Sequence, residues 1–215
     1  MGVTTVSRQG FIPVVWDNEM THYYSEKQTS PIRERIIKAT ILGNTLTFHT
    51  GSGMFSPDRI DTGTEILIEN AQIREKDKVL DFGCGYGAVG IAIAKAYTGV
   101  SIVMTDINKR AVALAKKNAE FNGISAKIYN GNLLELIHEQ CTAILLNPPQ
   151  TAGKKICFAM IEQSKEHLVA GGTLQLVARH NKGGNTLSQK MMEVFGNVSV
   201  LAKKGGYWVY CSSKD

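Results

Sequence analysis

A chain of 215 residues, 43% apolar and 20% charged, has a globular composition and the length for one full-sized core, because single cores stop growing near roughly 250 to 300 residues. That composition excludes disordered and fibrous classes, and no run reaches the roughly 20 consecutive apolar residues that cross a bilayer. A formal net charge of +5 is mild for a dedicated nucleic-acid binder, yet it favours a polyanionic partner.

Residues 1–30 lack a sustained hydrophobic period and end in a polar stretch before Pro31, which predicts an arm preceding a domain over residues 31–215. Arg8, Asp17 and Glu19 interrupt any apolar core of the kind a secretory signal needs. Two β-rich runs, Glu34 to Leu42 and Thr45 to Thr50, flank Gly43-Asn44 and predict a hairpin. Asp61 or Thr62 can cap a helix that carries Ile66, Leu67, Ile68 and Ala71 and ends near Arg74.

From there strand and helix alternate. Strands are expected at Lys78 to Phe82, Val100 to Thr105 and Ile124 to Tyr129, with helices at Ala88 to Tyr97 and Lys109 to Asn122 between them. Cys141 to Leu146 is the next strand, stopped by Pro148 and Pro149, since proline cannot continue a central strand. A helix over Ile156 to Leu168, a break at Gly171-Gly172, a strand over Leu174 to Ala178 and a helix over Asn185 to Phe195 follow. Val198 to Ala202 and Tyr207 to Cys211 flank Lys203-Lys204-Gly205-Gly206 and close the chain on a second hairpin. The pattern predicts a doubly wound, Rossmann-like α/β domain: a seven-stranded, mostly parallel sheet, one antiparallel member from the last hairpin, and an N-terminal β-hairpin extension.

Cys84, Cys141, Cys157 and Cys211 stand far apart, without a CxxC pair or a histidine at zinc-ligand spacing. They read as reduced thiols of a cytoplasmic protein that carries no metal.

The chemistry concentrates at three strand ends. Asp81-Phe82-Gly83-Cys84-Gly85-Tyr86-Gly87 is a strand-to-helix turn where glycines let backbone approach a ligand and a helix N-terminus offers free N–H groups. Gly85 to Gly90 also fits GxGxxG, so a nicotinamide-dependent oxidoreductase competes with other nucleotide-like cofactors. Asp106 ends the following strand, where a carboxylate can accept both hydroxyls of a ribose or can cap the next helix. Asn147-Pro148-Pro149 ends the fourth strand at the same edge. Its Asn147 side-chain oxygen and Pro148 carbonyl form a stiff acceptor pair suited to a planar exocyclic amine. Lys154 and Lys155, and Arg179, His180 and Lys182, follow strand ends as candidates for phosphate contact. Trp208 and Tyr210 alternate in the last strand and read as packing residues.

In this order and on these strands, the Asp81 to Gly87 turn, Asp106 and Asn147-Pro148-Pro149 resemble the class I S-adenosylmethionine-dependent methyltransferases that modify amide or exocyclic nitrogens. More narrowly, Gly53-Met54-Phe55-Ser56, the run Asp61 to Leu67, the Asn-Pro-Pro loop and Gly205-Gly206-Tyr207 resemble the small-subunit ribosomal RNA guanine-N2 methyltransferases, in particular short archaeal-type single-domain members. The resemblance implies that Asp81, Gly83 and Gly85 surround the methionine part of S-adenosylmethionine, that Asp106 holds the ribose and Asn132 with Leu133 borders the adenine, and that Ile107 and Asn147 also contact the cofactor. It implies that Phe55 and Thr64 cover the cofactor from the other side, and that Asn147, Pro148 and Pro149 hold the target amine against the methyl group. Gln150 stands where many members carry an aromatic residue, and Asn132 where many carry aspartate. The expected partner is RNA, bound by Gln150, Lys154, Lys155, Arg179 and Lys182. A protein glutamine amide, a small amine, and an RNA-binding module without turnover are the competing readings.

Overall fold

A strand covered on both faces must be apolar at successive positions, and that requirement places the core here. The computed structural model describes residues 34–51 and 56–215. The expected arm and Phe55 lie outside these residues. In β3 (Lys78–Phe82), β4 (Ser101–Asp106), β6 (Cys141–Leu146) and β7 (Leu168–Arg179), successive side chains enter two separate cores. Val79, Ile102, Leu145 and Val177 pack toward α1 (Thr62–Asn70), α2 (Ala88–Ala96) and α3 (Lys109–Phe121). Leu80, Val103, Ile144 and Leu176 pack toward α4 (Lys154–His167) and α5 (Gly184–Phe195).

With β5 (Ala126–Asn130), β8 (Ser199–Lys204) and β9 (Tyr207–Ser213), these strands form a seven-stranded sheet of order β5-β4-β3-β6-β7-β9-β8. β9 runs antiparallel to both of its neighbours, and the other pairs are parallel. This is the Rossmann-like sheet expected from the sequence, antiparallel member included. The chain leaves β3 for β4 on one side and later returns to β6 on the other, so strand order reverses at β3. A crevice opens at such a point beyond the carboxyl ends of the strands. Among the described residues no helix is long and apolar enough to cross a membrane.

Several boundaries differ from the sequence reading, three of them for reasons visible in the packing. The N-terminal hairpin, β1 (Glu34–Ile41) with β2 (Asn44–Gly51), turns on Leu42-Gly43 rather than Gly43-Asn44. Both turn residues are left-handed, with φ 48° and 75°, as the type I′ turn demands. The Asn44 amide braces the turn by donating to the Leu42 carbonyl at 3.0 Å. A leucine in this conformation costs about 1 to 2 kcal/mol. Leu42→Asn is therefore expected to raise stability by about 1 kcal/mol, read as a higher urea midpoint at unchanged slope.

α1 stops at Asn70 instead of running on to Arg74. The buried Gln175 of β7 captures the chain just beyond, accepting from the Gln72 N–H at 2.8 Å and donating to its carbonyl at 2.9 Å. β7 begins earlier than expected, at Leu168, and passes through Gly171-Gly172 with a register irregularity opposite Cys141 and Ala143.

The hairpin lies against α3 through two asparagines one helical turn apart. Asn118 accepts from the His49 N–H at 2.7 Å and donates to the His49 carbonyl at 2.9 Å. Asn122 accepts from the Thr47 N–H at 3.2 Å and donates to its carbonyl at 2.8 Å. The match follows from geometry: four residues of helix advance about 6 Å, and two residues of strand nearly the same. Asn118 also donates to the Tyr86 carbonyl, tying the hairpin to the glycine-rich turn.

Candidate active site

A cavity of about 290 Å³ opens at the carboxyl edge of the sheet, where β3, β4 and β6 end beside the N-terminus of α1. Its floor is the β3–α2 turn. Gly83, Gly85 and Gly87 all have positive φ, from 55° to 91°, so the turn coils back tightly in a way that side-chain-bearing residues resist. α2 begins without a side-chain cap, which leaves N–H groups of its first turn available to a ligand.

Asp81 and Asp106 lie under this turn. Asp81 is buried and accepts from the Gly90 N–H at 2.9 Å through Oδ2. Its other oxygen has no hydrogen-bond partner among the described residues, and Asp81 lines the cavity. Burial pushes its carboxyl up to about 7, aided by the neighbouring Asp106 charge and opposed by the Gly90 N–H. A carboxyl in this state is stabilised as the anion by a cationic ligand.

Asp106 accepts from the Gly85 N–H through Oδ2 and from the Asn108 N–H through Oδ1, each at 2.8 Å. Burial raises its pKa, against the hydrogen bonds from Asn108, Gly85 and Ile107. The helix-cap alternative is excluded, because Asn108 caps α3 by accepting from the Arg110 and Ala111 N–H groups. A carboxylate offers about four lone-pair sites, so Asp106 fixes the glycine-rich turn and still presents acceptors to a diol. Beside it, Ile107, Asn132 and Leu133 line the cavity. Leu133 is held at φ 52°, the kind of strained backbone that clusters at ligand sites. The buried Cys84 thiol is pushed far above its ordinary range, mainly by burial, and it stays neutral.

The opposite wall joins two distant parts of the chain. The Asn147 amide nitrogen donates to Thr64 Oγ1 at 2.9 Å and to Asp61 Oδ2 at 3.2 Å. Asp61 also caps α1, accepting from the Thr64 N–H at 3.2 Å. These bonds fix the amide orientation and leave the Asn147 oxygen for a ligand. The Pro149 carbonyl is taken by the Ala152 N–H at 2.9 Å, whereas that of Pro148 has no such partner among the described residues.

The cavity thus brings together Thr64, Asp81, Gly83, Gly85, Asp106 and Ile107, and with them Asn132, Leu133, Asn147, Pro148, Pro149 and Arg179, all singled out from sequence. Lys154 and Lys182 border a separate hollow of about 200 Å³ between the starts of α4 and α5, and Lys155 is exposed outside both. His180 turns inward, stacked on Trp208 at 3.7 Å and bonded through Nδ1 to the Tyr210 hydroxyl at 2.7 Å. Sequence reasoning missed Tyr207 and Met160 as cavity residues, and it saw Asp61 only as a cap. Asp61 and Tyr207 lie in the runs that carried the narrower family resemblance, which was the available signal.

Residues 45–211 match the methyltransferase small domain family. The chain belongs to this family. As a methyltransferase small domain it is an S-adenosylmethionine-dependent enzyme, and the nicotinamide reading of the GxGxxG turn is set aside. It is 39% identical over 197 residues to an uncharacterised protein of Bacillus subtilis, YbxB, covering 90% of this chain and 98% of that one, so the short form occurs in bacteria. It is 34% identical over 169 residues to ribosomal RNA small subunit methyltransferase C of Haemophilus influenzae, covering 77% of this chain and 50% of that one. Among solved structures, the T. thermophilus 16S rRNA N2 G1207 methyltransferase in complex with AdoMet and guanosine superimposes with a TM-score of 0.74 at 24% identity, over 86% of this chain and 52% of that one. The chain therefore spans about half the length of these two ribosomal RNA methyltransferases.

The cavity fits this cofactor: a glycine cradle, a buried carboxylate with an open oxygen, a second buried carboxylate at the end of the next strand and an apolar wall. Asp81 provides a test. Its folded pKa near 7 lies above the ordinary 3.8, and a cation bound against it would require the anion. Affinity for S-adenosylmethionine is then expected to rise roughly eightfold between about pH 6 and about pH 7.5 and to be flat in Asp81→Asn, as measured by calorimetry. The same shift means that the folded chain binds the extra proton, so its stability falls as pH rises from about 4 to about 7.

Proposed function

We propose that this chain transfers the methyl group of S-adenosylmethionine to the exocyclic N2 amine of a guanine in ribosomal RNA. The observation that carries the reading is the locked Asn147 amide: its nitrogen is bound to Asp61 and Thr64, and its oxygen is left without a hydrogen-bond partner among the described residues of a cavity that Asn147 lines. That oxygen and the Pro148 carbonyl can accept both hydrogens of a planar amine. The nitrogen lone pair is then directed at the methyl group, and positioning supplies most of the catalysis. The bound cofactor supplies a methyl group on a sulfonium. The amine nitrogen forms the new N–C bond as the S–C bond breaks, and the surplus amine proton leaves to water. The glycine-rich turn and Asp106 hold the donor, while Lys154 and Lys182, on the separate hollow between the starts of α4 and α5, meet the phosphates of the strand that delivers the base.

The test is transfer of tritium from methyl-labelled S-adenosylmethionine into unmodified small-subunit ribosomal RNA, bare and in assembled particles, followed by nucleoside analysis. Label in N2-methylguanosine is the expected result. Label in ribosomal protein glutamine instead would overturn the RNA reading and keep the Asn147 chemistry.

A further inference from the structure

We infer that Arg179, held by Tyr207, reads the far edge of the target base and makes the pocket selective for guanine; the inference rests on the proposed N2 activity. Among the described residues that line the cavity, Arg179 is the one lysine or arginine, and the same cavity is lined by the carboxylates Asp61, Asp81 and Asp106. Its side chain is exposed and has no carboxylate partner among the described residues. Its guanidinium lies 5.5 Å from the centroid of the Tyr207 ring. Tyr207 is its direct cross-strand partner on β9, and the ring is seated against Gly63 of α1, where an added Cβ would stand 3.0 Å from the ring. The guanidinium is therefore supported at the mouth without being neutralised, which leaves its paired N–H donors for a ligand.

Register fixes where that ligand edge must lie. Leu146 pairs with Leu176, so Arg179 stands two residues further out than Asn147, roughly 7 Å along the sheet and one strand spacing of about 4.8 Å across it. Strand alternation puts both on the α1 side, with Leu145 and Val177. A purine whose amine is held at Asn147 spans that gap, whereas a carboxamide does not. Guanine presents two acceptors there, O6 and N7, and an arginine fork binds them bidentately. Adenine presents an amino donor in place of O6 and opposes the fork.

The experiment uses the full chain and small-subunit ribosomal RNA transcribed with guanosine or with 7-deazaguanosine, which keeps the amine and O6 and lacks N7. The unsubstituted chain is expected to methylate the 7-deaza transcript about tenfold more slowly in kcat/KM. Arg179→Ala should lower kcat/KM on the guanosine transcript about 10- to 100-fold, treat the two transcripts alike, and bind S-adenosylmethionine as before. Tyr207 acts as a positioning residue, so Tyr207→Leu should also lose the discrimination and Tyr207→Phe should retain it. If Arg179→Ala still distinguishes the transcripts, or if the unsubstituted chain does not, the inference fails while the N2 activity stands. If no N2-methylguanosine forms with the unsubstituted chain, both fail together.

Discussion

Asn147→Ala is expected to lower kcat by about 100- to 1,000-fold, the loss typical of a preorganised group aimed at charge that develops in the transition state. The affinity for S-adenosylmethionine should change far less, because the glycine-rich turn and the two carboxylates proposed to hold it lie at the ends of β3 and β4. Single-turnover methyl transfer alongside calorimetry separates the two quantities. Comparable losses in both would reassign Asn147 to the cofactor. Asn147→Asp adds a second test. It keeps an oxygen and removes the donor that Asp61 and Thr64 accept, leaving a carboxylate about where the amide now lies 3.2 Å from Asp61 Oδ2. Two carboxylates so close share a proton, so the residual activity of this variant should fall as pH rises. No such fall is expected for Asn147→Ala.

Asp106→Ala should weaken S-adenosylmethionine binding by about 1.5 to 3 kcal/mol, or about 10- to 150-fold. The loss has two sources. One is the pair of acceptors proposed to meet the ribose, and the other is the anchoring of the Gly85 and Asn108 N–H groups. Asn is no conservative replacement here, since its NH2 would face one of those N–H donors and leave a buried donor unpaired. Asp106→Asn should thus lose nearly as much as Asp106→Ala in the same calorimetric titration. An unchanged affinity in either variant would remove Asp106 from the site.

These residues also show what the sequence could and could not disclose. The central strands were readable because burial on both faces forces apolar residues at successive positions, as at Val79 and Leu80 or Ile144 and Leu145. The three strand ends were readable because glycine, aspartate and the Asn-Pro-Pro run mark them locally. Asp61 was readable as a cap, which is a local property, but its bond to Asn147 joins residues 86 positions apart and no local pattern encodes it. Tyr207 reaches the cavity only through its antiparallel pairing with Arg179, and His180 turns away only because Trp208 and Tyr210 receive it. Leu42 escaped notice for the opposite reason: local preference argues against a left-handed leucine, and the strand pairing overrides it.

The two asparagines of α3 have a consequence beyond fixing the hairpin. A two-stranded ribbon exposes rows of unused N–H and C=O groups, and an open row of that kind recruits a strand from another molecule. Asn118 and Asn122 occupy that row on β2 at Thr47 and His49, answering each N–H with an oxygen and each carbonyl with an amide. The helix stands in for the missing strand and cannot itself be extended by another. The hairpin is thereby kept from seeding chain-to-chain aggregation on the side nearest the glycine-rich turn.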